Sequence, residues 1–239
     1  MEGSRRSVAR ISAEFLLIVL GVLVALAVDR WSESRADREL EVMYLERLRV
    51  DMIGSRSDLQ IPYYEGVEAH SRAALPYVAR EQELSDSVGL VIAAYHAHRM
   101  LTPRVRDATH RELLATGNLR VIKDLELREA LAELYSEVAF WKLVFDPSVQ
   151  DSDFNHYVRG RIPPDLQFEI ADRCPIDEQQ PFGCTTDLGD WDPSDFINGL
   201  RSEPIAVEGL TRRLRDVVRM NGVLNNIDEM IEDILRRIE

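Results

Sequence analysis

The order of apolar and polar residues in this 239-residue chain begins with one unbroken apolar run and then changes to helical periodicity. The run, FLLIVLGVLVALAV, covers residues 15–28 and has arginines on both sides. A helix over residues 11–29 would be about 28 Å long, close to the thickness of the hydrocarbon core of a bilayer. Trp31 follows at the level expected for lipid headgroups. The pattern therefore predicts a transmembrane helix over residues 11–31.

Two other interpretations of the apolar run are open. Ala25-Leu26-Ala27 has the form of a signal-peptidase site, and residues 4–10 loosely match a twin-arginine export signal. However, the run reaches Ala25 without a helix breaker, and the residues that follow also have the pattern of a helix, which favours a retained anchor. Glu14 lies near the start of the predicted span, where it can pair with Arg10 at i,i+4. A functional carboxylate inside the bilayer is the alternative for Glu14.

The charges beside the run give an expected orientation. Arg5, Arg6 and Arg10 precede the run, whereas the arginines that follow it are diluted by acidic residues. The positive-inside rule then favours a cytoplasmic tail over residues 1–10 and an extracytoplasmic domain over residues 32–239. The expected location is the inner membrane of a bacterium, with the bulk of the chain in the periplasm.

Residues after the run show mostly helical periodicity. Residues 32–59 continue the membrane helix into water and carry one apolar stripe that includes Leu45, Leu48 and Met52. Four further helices are predicted from apolar spacing, capping residues and breakers, over residues 64–83, 87–100, 107–116 and 125–145. No alternating strand of useful length occurs. The predicted class is all-α, with the transmembrane helix continuing into a helical bundle or coiled-coil-like domain.

The last third of the chain divides into two parts. Residues 148–204 are rich in Pro, Gly and Asp and predict a loop-rich insertion with short helices. Residues 203–239 predict one long helix with apolar residues in unbroken three-four spacing. These residues form the predicted helix seam: Val217, Met220, Leu224, Ile227, Ile231, Ile234 and Ile238. Such a seam can pair with another chain or with the 32–59 stripe of the same chain. The sequence does not distinguish packing between chains from packing within one chain.

Cys174 and Cys184 are the only cysteines of the chain, and ten residues separate them in CPIDEQQPFGC. In an oxidising compartment this spacing predicts a small disulfide loop. Closing a loop of this size stabilises the folded state by about 2–3 kcal/mol. No Cys-x-x-Cys or adjacent histidine supports a metal site.

The negative charge of the chain argues against nucleic acids and anionic lipid surfaces as partners. The chain has a net charge of −13, and residues 29–239 carry −14, since residues 1–28 contribute +1. An acidic domain repels nucleic acids and anionic lipid surfaces. We therefore expect no nucleic acid partner, and contact with the bilayer only through the predicted span.

Two stretches, EFLLIVLGVLVALAVDRW and ELLATGNLRVIKDLELREALAELY, resemble a bacterial domain-of-unknown-function family of small single-pass membrane proteins. The resemblance covers about a third of the chain and implies the topology and the helical fold, but no activity or ligand. The Cys174–Cys184 loop is not part of the family pattern. The matching positions are Gly21, Trp31, Thr116, Gly117, Asn118, Ile122 and Leu127.

Candidate chemical sites are few. His96 and His98 suggest a metal pair, as do His110 and Glu112, but residues at i and i+2 of a helix point apart. Four aspartates suggest calcium, although the expected loop ending in a bidentate glutamate is absent and a helix cap explains two of them. These aspartates are Asp187, Asp190, Asp192 and Asp195. No catalytic, phosphate-binding or dinucleotide-binding motif occurs, so we predict no metal, no cofactor and no enzymatic activity.

Two function hypotheses follow. The first is a membrane-anchored structural or interaction protein that assembles into a homo-oligomer, or with another membrane or envelope protein, through its long helices. Gly21 and Ala25 form a small-xxx-small pair on which two spans can approach closely. The second is a sensory or ligand-binding module with residues 148–204 as the receiving surface. The short tail before the span favours the first hypothesis, because a receptor needs a cytoplasmic partner.

Overall fold

In a computed structural model, residues 2–144, 153–176, 179 and 181–239 are described, with side chains from residue 19 onward. The described residues form helices, turns and loops and no strand, which confirms the all-α class. The α-helices are α1 Glu2–Asp58, α2 Ile61–Val78, α3 Ser87–His98, α4 Ala108–Thr116, α5 Leu125–Val144, α6 Asp153–Arg161, α7 Pro164–Arg173, α8 Ser194–Ser202 and α9 Pro204–Ile238. A 3-10 helix, Asn118–Val121, follows α4.

Helix α1 is one continuous helix of 57 residues. Its side chains from Val19 to Val28 are exposed, and none of them belongs to the core. Within the described residues, no helix has both the length and the apolar character that crossing a membrane requires. The predicted span covers residues 11–31, and the side chains of residues 11–18 lie outside the described part of the chain.

The break between α1 and α2 lies two residues earlier than Pro62, where the sequence suggests a turn. Gln60 adopts a left-handed conformation with φ of 58°, and Pro62 lies in the first turn of α2. A proline is tolerated there because the first helical N–H groups have no partner within the helix. Pro76 also lies inside α2, which ends two residues later at Val78 rather than near residue 83.

Capping residues end α4 and begin α5 as predicted. Gly117 has φ of 70° and terminates α4, where a residue with a Cβ would be strained. Asp124 accepts a hydrogen bond from the N–H of Leu127 at 3.1 Å and so caps the first turn of α5. The predicted end of α5 at Asp146-Pro147 lies outside the described residues.

Two hydrophobic clusters form the core, and α9 contributes to both. The first cluster joins α1, the start of α2, α4, α5 and the second half of α9. The second joins the end of α2, α3, α6, α7, α8 and the first half of α9. Helix α6 approaches α9 most closely at Gly209, where a Cβ would lie 2.8 Å from the Cβ of Phe154. Gly209 therefore permits this approach.

The predicted seam of α9 packs within the chain. Six of its seven residues are buried in the first cluster, and Ile238 packs partly against it. Their neighbours include Leu48 and Met52 of α1, the stripe that the sequence offered as an intramolecular partner. The apolar stripe of α9 therefore packs into the core of a single chain. It gives no support for contact between chains.

The described residues between 153 and 204 include short helices, as the sequence predicts for this segment. Three helices, α6, α7 and α8, bury apolar residues spaced three and four apart in the second cluster. Phe154 and Val158 of α6, Ile170 of α7 and Leu200 of α8 are fully or almost fully buried. The density of Pro, Gly and Asp marks the turns between these helices rather than an irregular domain.

Leu131 of α5 is fully buried in the first cluster, whereas Leu143 of the same helix is 80% exposed. We expect Leu131→Ala to lower the free energy of unfolding by about 2–5 kcal/mol, because it removes buried methyl groups and leaves a cavity. Leu143→Ala should change it by less than about 0.5 kcal/mol. Urea unfolding of the full chain, followed by circular dichroism, measures both. Equal effects of the two substitutions would contradict this packing.

Candidate functional site

The predicted helix-packing pair in the membrane run lies on a bare face of α1. Gly21 and Ala25 are one turn apart and exposed, and a Cβ added at Gly21 would meet nothing within 4 Å. No other part of the described chain covers this face. It is therefore available to a second helix or to lipid.

The predicted disulfide is present between Cys174 and Cys184, with Cα atoms 5.6 Å apart. Cys174 ends α7 and is fully buried, and its N–H donates to the carbonyl oxygen of Ile170 at 2.9 Å. Phe182 and Cys184 pack against the second cluster. The disulfide therefore joins the chain after α7 to the packed core rather than closing a detached surface loop.

Helix α1 is held to the following helices by a row of polar contacts, which we call the polar seam. On α1 it comprises Glu41, Tyr44, Arg47, Asp51, Ser55 and Asp58. Their spacing of three and four residues places them on one face of the helix. Their partners all lie between residues 106 and 123. The polar seam therefore fixes residues 41–58 of α1 against α4 and the segments on either side of α4.

Glu112 is the centre of the polar seam. Its carboxylate accepts hydrogen bonds from Arg47 Nη1 at 2.9 Å and from the Tyr44 hydroxyl at 3.2 Å. Asn118 Nδ2 donates to the same Tyr44 hydroxyl at 3.1 Å. The hydrogen bond from Arg47 holds the pKa of Glu112 below its usual value and raises the pKa of Arg47. Because this pair is about 40% exposed, water and salt screen its attraction.

At the carboxyl end of α1, the polar seam contacts residues 99–107, the loop that connects α3 and α4. Ser55 Oγ accepts the Arg106 N–H at 2.8 Å, and Asp58 pairs with the Arg106 side chain at 2.9 Å. Asp51 Oδ2 accepts the Thr109 N–H at 3.1 Å in the first turn of α4. The hydrogen bond from Arg106 lowers the pKa of Asp58. These contacts satisfy backbone donors that the loop and the helix start would otherwise leave unpaired.

Arg213 of α9 is a buried cation, only 3% exposed, at the carboxyl end of α3. Its Nε donates to the carbonyl oxygen of Ala97 at 3.1 Å, and its Nη2 donates to that of Arg99 at 2.5 Å. Burial lowers the pKa of Arg213. A cation is favourable at this position because the last carbonyl groups of a helix carry partial negative charge. Arg213 therefore joins α9 to α3 by satisfying the end of α3.

The histidines lie in the core rather than in an open site. His96 and His98 point to different neighbours, as expected for i and i+2 of a helix, and burial lowers their pKa values to about 3 and about 4. His70 of α2 packs against His96 with ring centroids 4.5 Å apart. His110 stacks on Tyr135 at 4.1 Å, away from the Glu112 carboxylate, which is engaged by Arg47. Buried rings of this kind contribute to the packing of the core.

Two of the four aspartates considered as calcium ligands make local turn contacts. Asp187 accepts the N–H of Gly189 at 3.0 Å, and Asp192 accepts that of Ser194 at 2.9 Å at the start of α8. The hydrogen bonds from Ser194 lower the pKa of Asp192. Within the described part of the chain, no three His, Cys, Asp or Glu side chains come together as metal ligands.

Sequence reasoning missed the polar seam and Arg213. The seam has a signal, because polar residues recur on α1 at steps of three and four on a face adjacent to the apolar stripe. That pattern is also typical of an ordinary solvated helix face, and only the fold shows its partners. Arg213 has no signal, since an arginine in an amphipathic helix is normally exposed.

No family model, curated protein or solved structure matches this chain.

We expect the Arg47–Glu112 pair to stabilise the fold above the usual pKa of a carboxyl group. Because the folded-state pKa of Glu112 is lowered, its contribution is lost as pH falls through that folded value. Glu112→Gln should therefore be less stable than the wild type at pH 7, and the difference should shrink in acid. Glu133→Gln, an exposed control on α5, should show no such pH dependence. A difference for Glu112→Gln that is the same at pH 7 and in acid would contradict this role.

Proposed function

We propose that this chain is a membrane-anchored, non-enzymatic structural or interaction protein of the bacterial envelope. The observation that carries the proposal is the continuity of α1 from Glu2 to Asp58. One end of this helix holds the apolar run, whose side chains from Val19 to Val28 face no protein neighbour. The other end is built into the core and the polar seam. A helix of this kind transmits the position of an anchor directly to the folded body.

The apolar run supports an anchor for an energetic reason. Eight large apolar side chains from Val19 to Trp31 are each more than a third exposed. A contiguous exposed apolar surface of this kind marks a site for a membrane or a partner. A helix over residues 11–29, which contains the run, is about 28 Å long and close to the thickness of the hydrocarbon core, and Trp31 suits the interface. The bilayer is therefore the partner that we propose for this segment.

The disulfide supports the proposed orientation. Disulfides persist in oxidising compartments such as the bacterial periplasm and are rare in the cytosol. The Cys174–Cys184 bond lies in the body and is part of its packed core. Together with the arginines of the tail, it supports a cytoplasmic tail at residues 1–10 and a periplasmic body.

Assembly is proposed along α1 rather than α9. The bare Gly21–Ala25 face of the span suits close approach of a second helix. On the same helix, above the span, Val42, Val50 and Ile53 are at least half exposed on the side away from the core. A homo-oligomer, or a pairing with another envelope protein, would cover both regions at once. The resemblance to small single-pass membrane proteins agrees with this arrangement.

The second function hypothesis, a sensory or ligand-binding module with residues 148–204 as its receiving surface, has less support. The described helices of this segment direct their apolar sides into the second cluster. Asp187 and Asp192 make turn contacts, and no three metal-ligating side chains come together among the described residues. We therefore keep the structural and interaction role as the proposed function.

A pair of reporter fusions after Glu239 tests the proposed topology. A reporter that is active only in the periplasm should be active, and one that is active only in the cytoplasm should not. Leu23→Arg should weaken membrane retention, because an arginine near the centre of a span costs about 2.5–3.5 kcal/mol. Leu114→Arg, which changes an exposed leucine of α4, is the matched control and should leave the protein in the membrane. Cytoplasmic reporter activity, or equal retention of both variants, would exclude the proposed anchor.

A further inference from the structure

A small apolar cleft opens between the end of α1, the 99–107 loop, α5 and α9. Its volume is about 90 Å³. Its walls include Leu59, Val105, Val138, Val223 and Ile227, which come from all four elements. These residues are buried or nearly buried, so they belong to the rigid core and not to a mobile surface. The cleft is therefore a preformed feature of the fold.

Trp141 and Lys142 of α5 lie at the rim of the cleft. The indole N–H of Trp141 donates to Glu137 Oε1 at 2.6 Å, which leaves the carbon face of the ring to line the cleft. Lys142 is exposed, and no carboxylate of the described residues forms an ion pair with it. The only other lysine of the chain, Lys123, pairs with Glu41 at 3.0 Å. Among the described residues, Lys142 is thus a cation without an ion pair beside an apolar cavity.

The size and charge of the cleft restrict what it can hold. An apolar cavity of about 150 Å³ accommodates the six carbons of benzene, so a cleft of about 90 Å³ accommodates an alkyl chain of about three or four carbons. A buried alkyl chain needs no polar partner, and the walls offer few. A negative group at the other end of the ligand would meet Lys142. The net negative charge of the body opposes anions at long range, but salt screens this repulsion beyond about 8 Å.

We propose that this cleft binds a short-chain carboxylate, with its alkyl chain between α5 and α9 and its carboxylate at Lys142. The proposal does not depend on the membrane anchor, because every wall of the cleft belongs to the folded body. It places ligand binding outside residues 148–204, at the junction between α1 and the long helix α9. Occupation of the cleft would stabilise the contact between these helices by mass action.

Fluorescence of Trp141 can report occupation directly. In a full-length Trp31→Phe, Trp191→Phe background in lipid nanodiscs, Trp141 is the only tryptophan. Butanoate, pentanoate, hexanoate and octanoate are titrated at pH 7, with empty nanodiscs as the blank. Each added methylene should strengthen binding about fourfold until the cleft is full, after which affinity should level off. A saturable change is expected, and its complete absence across the series would overturn the proposal.

Substitutions locate the two ends of the ligand. Lys142→Gln should weaken pentanoate binding about two- to fivefold and leave binding of neutral 1-pentanol unchanged. Lys123→Gln, the matched control, should leave both unchanged. Val223→Phe should fill the cleft and abolish the titration. Val105→Phe, from the loop side, provides a second blocking variant if Val223→Phe does not fold, as judged by circular dichroism.

Each result decides the question. Equal pentanoate affinity in the wild type and Lys142→Gln would overturn the anion contact. Unchanged affinity in a folded blocking variant would overturn the location. Because the titration does not depend on topology, a soluble or cytoplasmic body that still binds pentanoate would contradict the proposed anchor while supporting this site.

Discussion

Burial of the apolar stripe along α9 is the interaction on which the rest of the structure depends. Its second half lies in the first hydrophobic cluster and its first half in the second, so one helix unites both parts of the core. Ile231 and Ile234 are fully buried. Without α9, α5 would lose its principal neighbour, and α6 would lose the close approach at Gly209. The fold is therefore organised around its last helix, although the sequence draws attention to its first.

Arg213 links that hydrophobic core to the polar contacts of α1. By binding the carbonyl groups at the end of α3, it fixes the start of the 99–107 loop. The loop then reaches Tyr64 through the carbonyl of Leu101, and it reaches Ser55 and Asp58 through Arg106. The same loop forms one wall of the apolar cleft. A single buried cation thus holds the start of the loop that contributes to both the polar seam and the proposed ligand site.

The polar seam gives α1 a second role besides packing. Its apolar stripe, including Leu48 and Met52, enters the core, while an adjacent face carries Tyr44, Arg47 and Asp58 to the residues after α3. Individual surface ion pairs contribute little, but a row of them on one face fixes rotation of the helix as well as its position. In the proposed membrane protein, the body could not turn independently of the span. Any partner that rotates or separates the spans would then act on the whole body.

Much of the fold could be predicted from the sequence, because helical periodicity and capping residues act locally. The starts of α3 and α5, the Gly117 cap and the disulfide follow from such local signals. The packing partner of the α9 stripe could not be predicted from the sequence. An apolar stripe has the same pattern whether its partner belongs to the same chain or to another. The packing of the short helices between residues 153 and 204 was underestimated because the turn residues there are conspicuous and the short apolar spacings are not. The polar seam and the cleft depend on contacts between residues distant in sequence, which no single stretch records.

The continuity of α1 across the boundary between the proposed span and the body can be measured directly. Val28 and Glu46 are both exposed and are separated by 18 residues, or five helical turns. Because both native cysteines are in the disulfide, spin labels at Val28→Cys and Glu46→Cys attach only there. One rigid helix gives a narrow distance distribution that corresponds to about 27 Å between the two Cα atoms in lipid nanodiscs. A broad distribution, or a clearly shorter distance, would mean a hinge between span and body and would contradict the proposed direct connection.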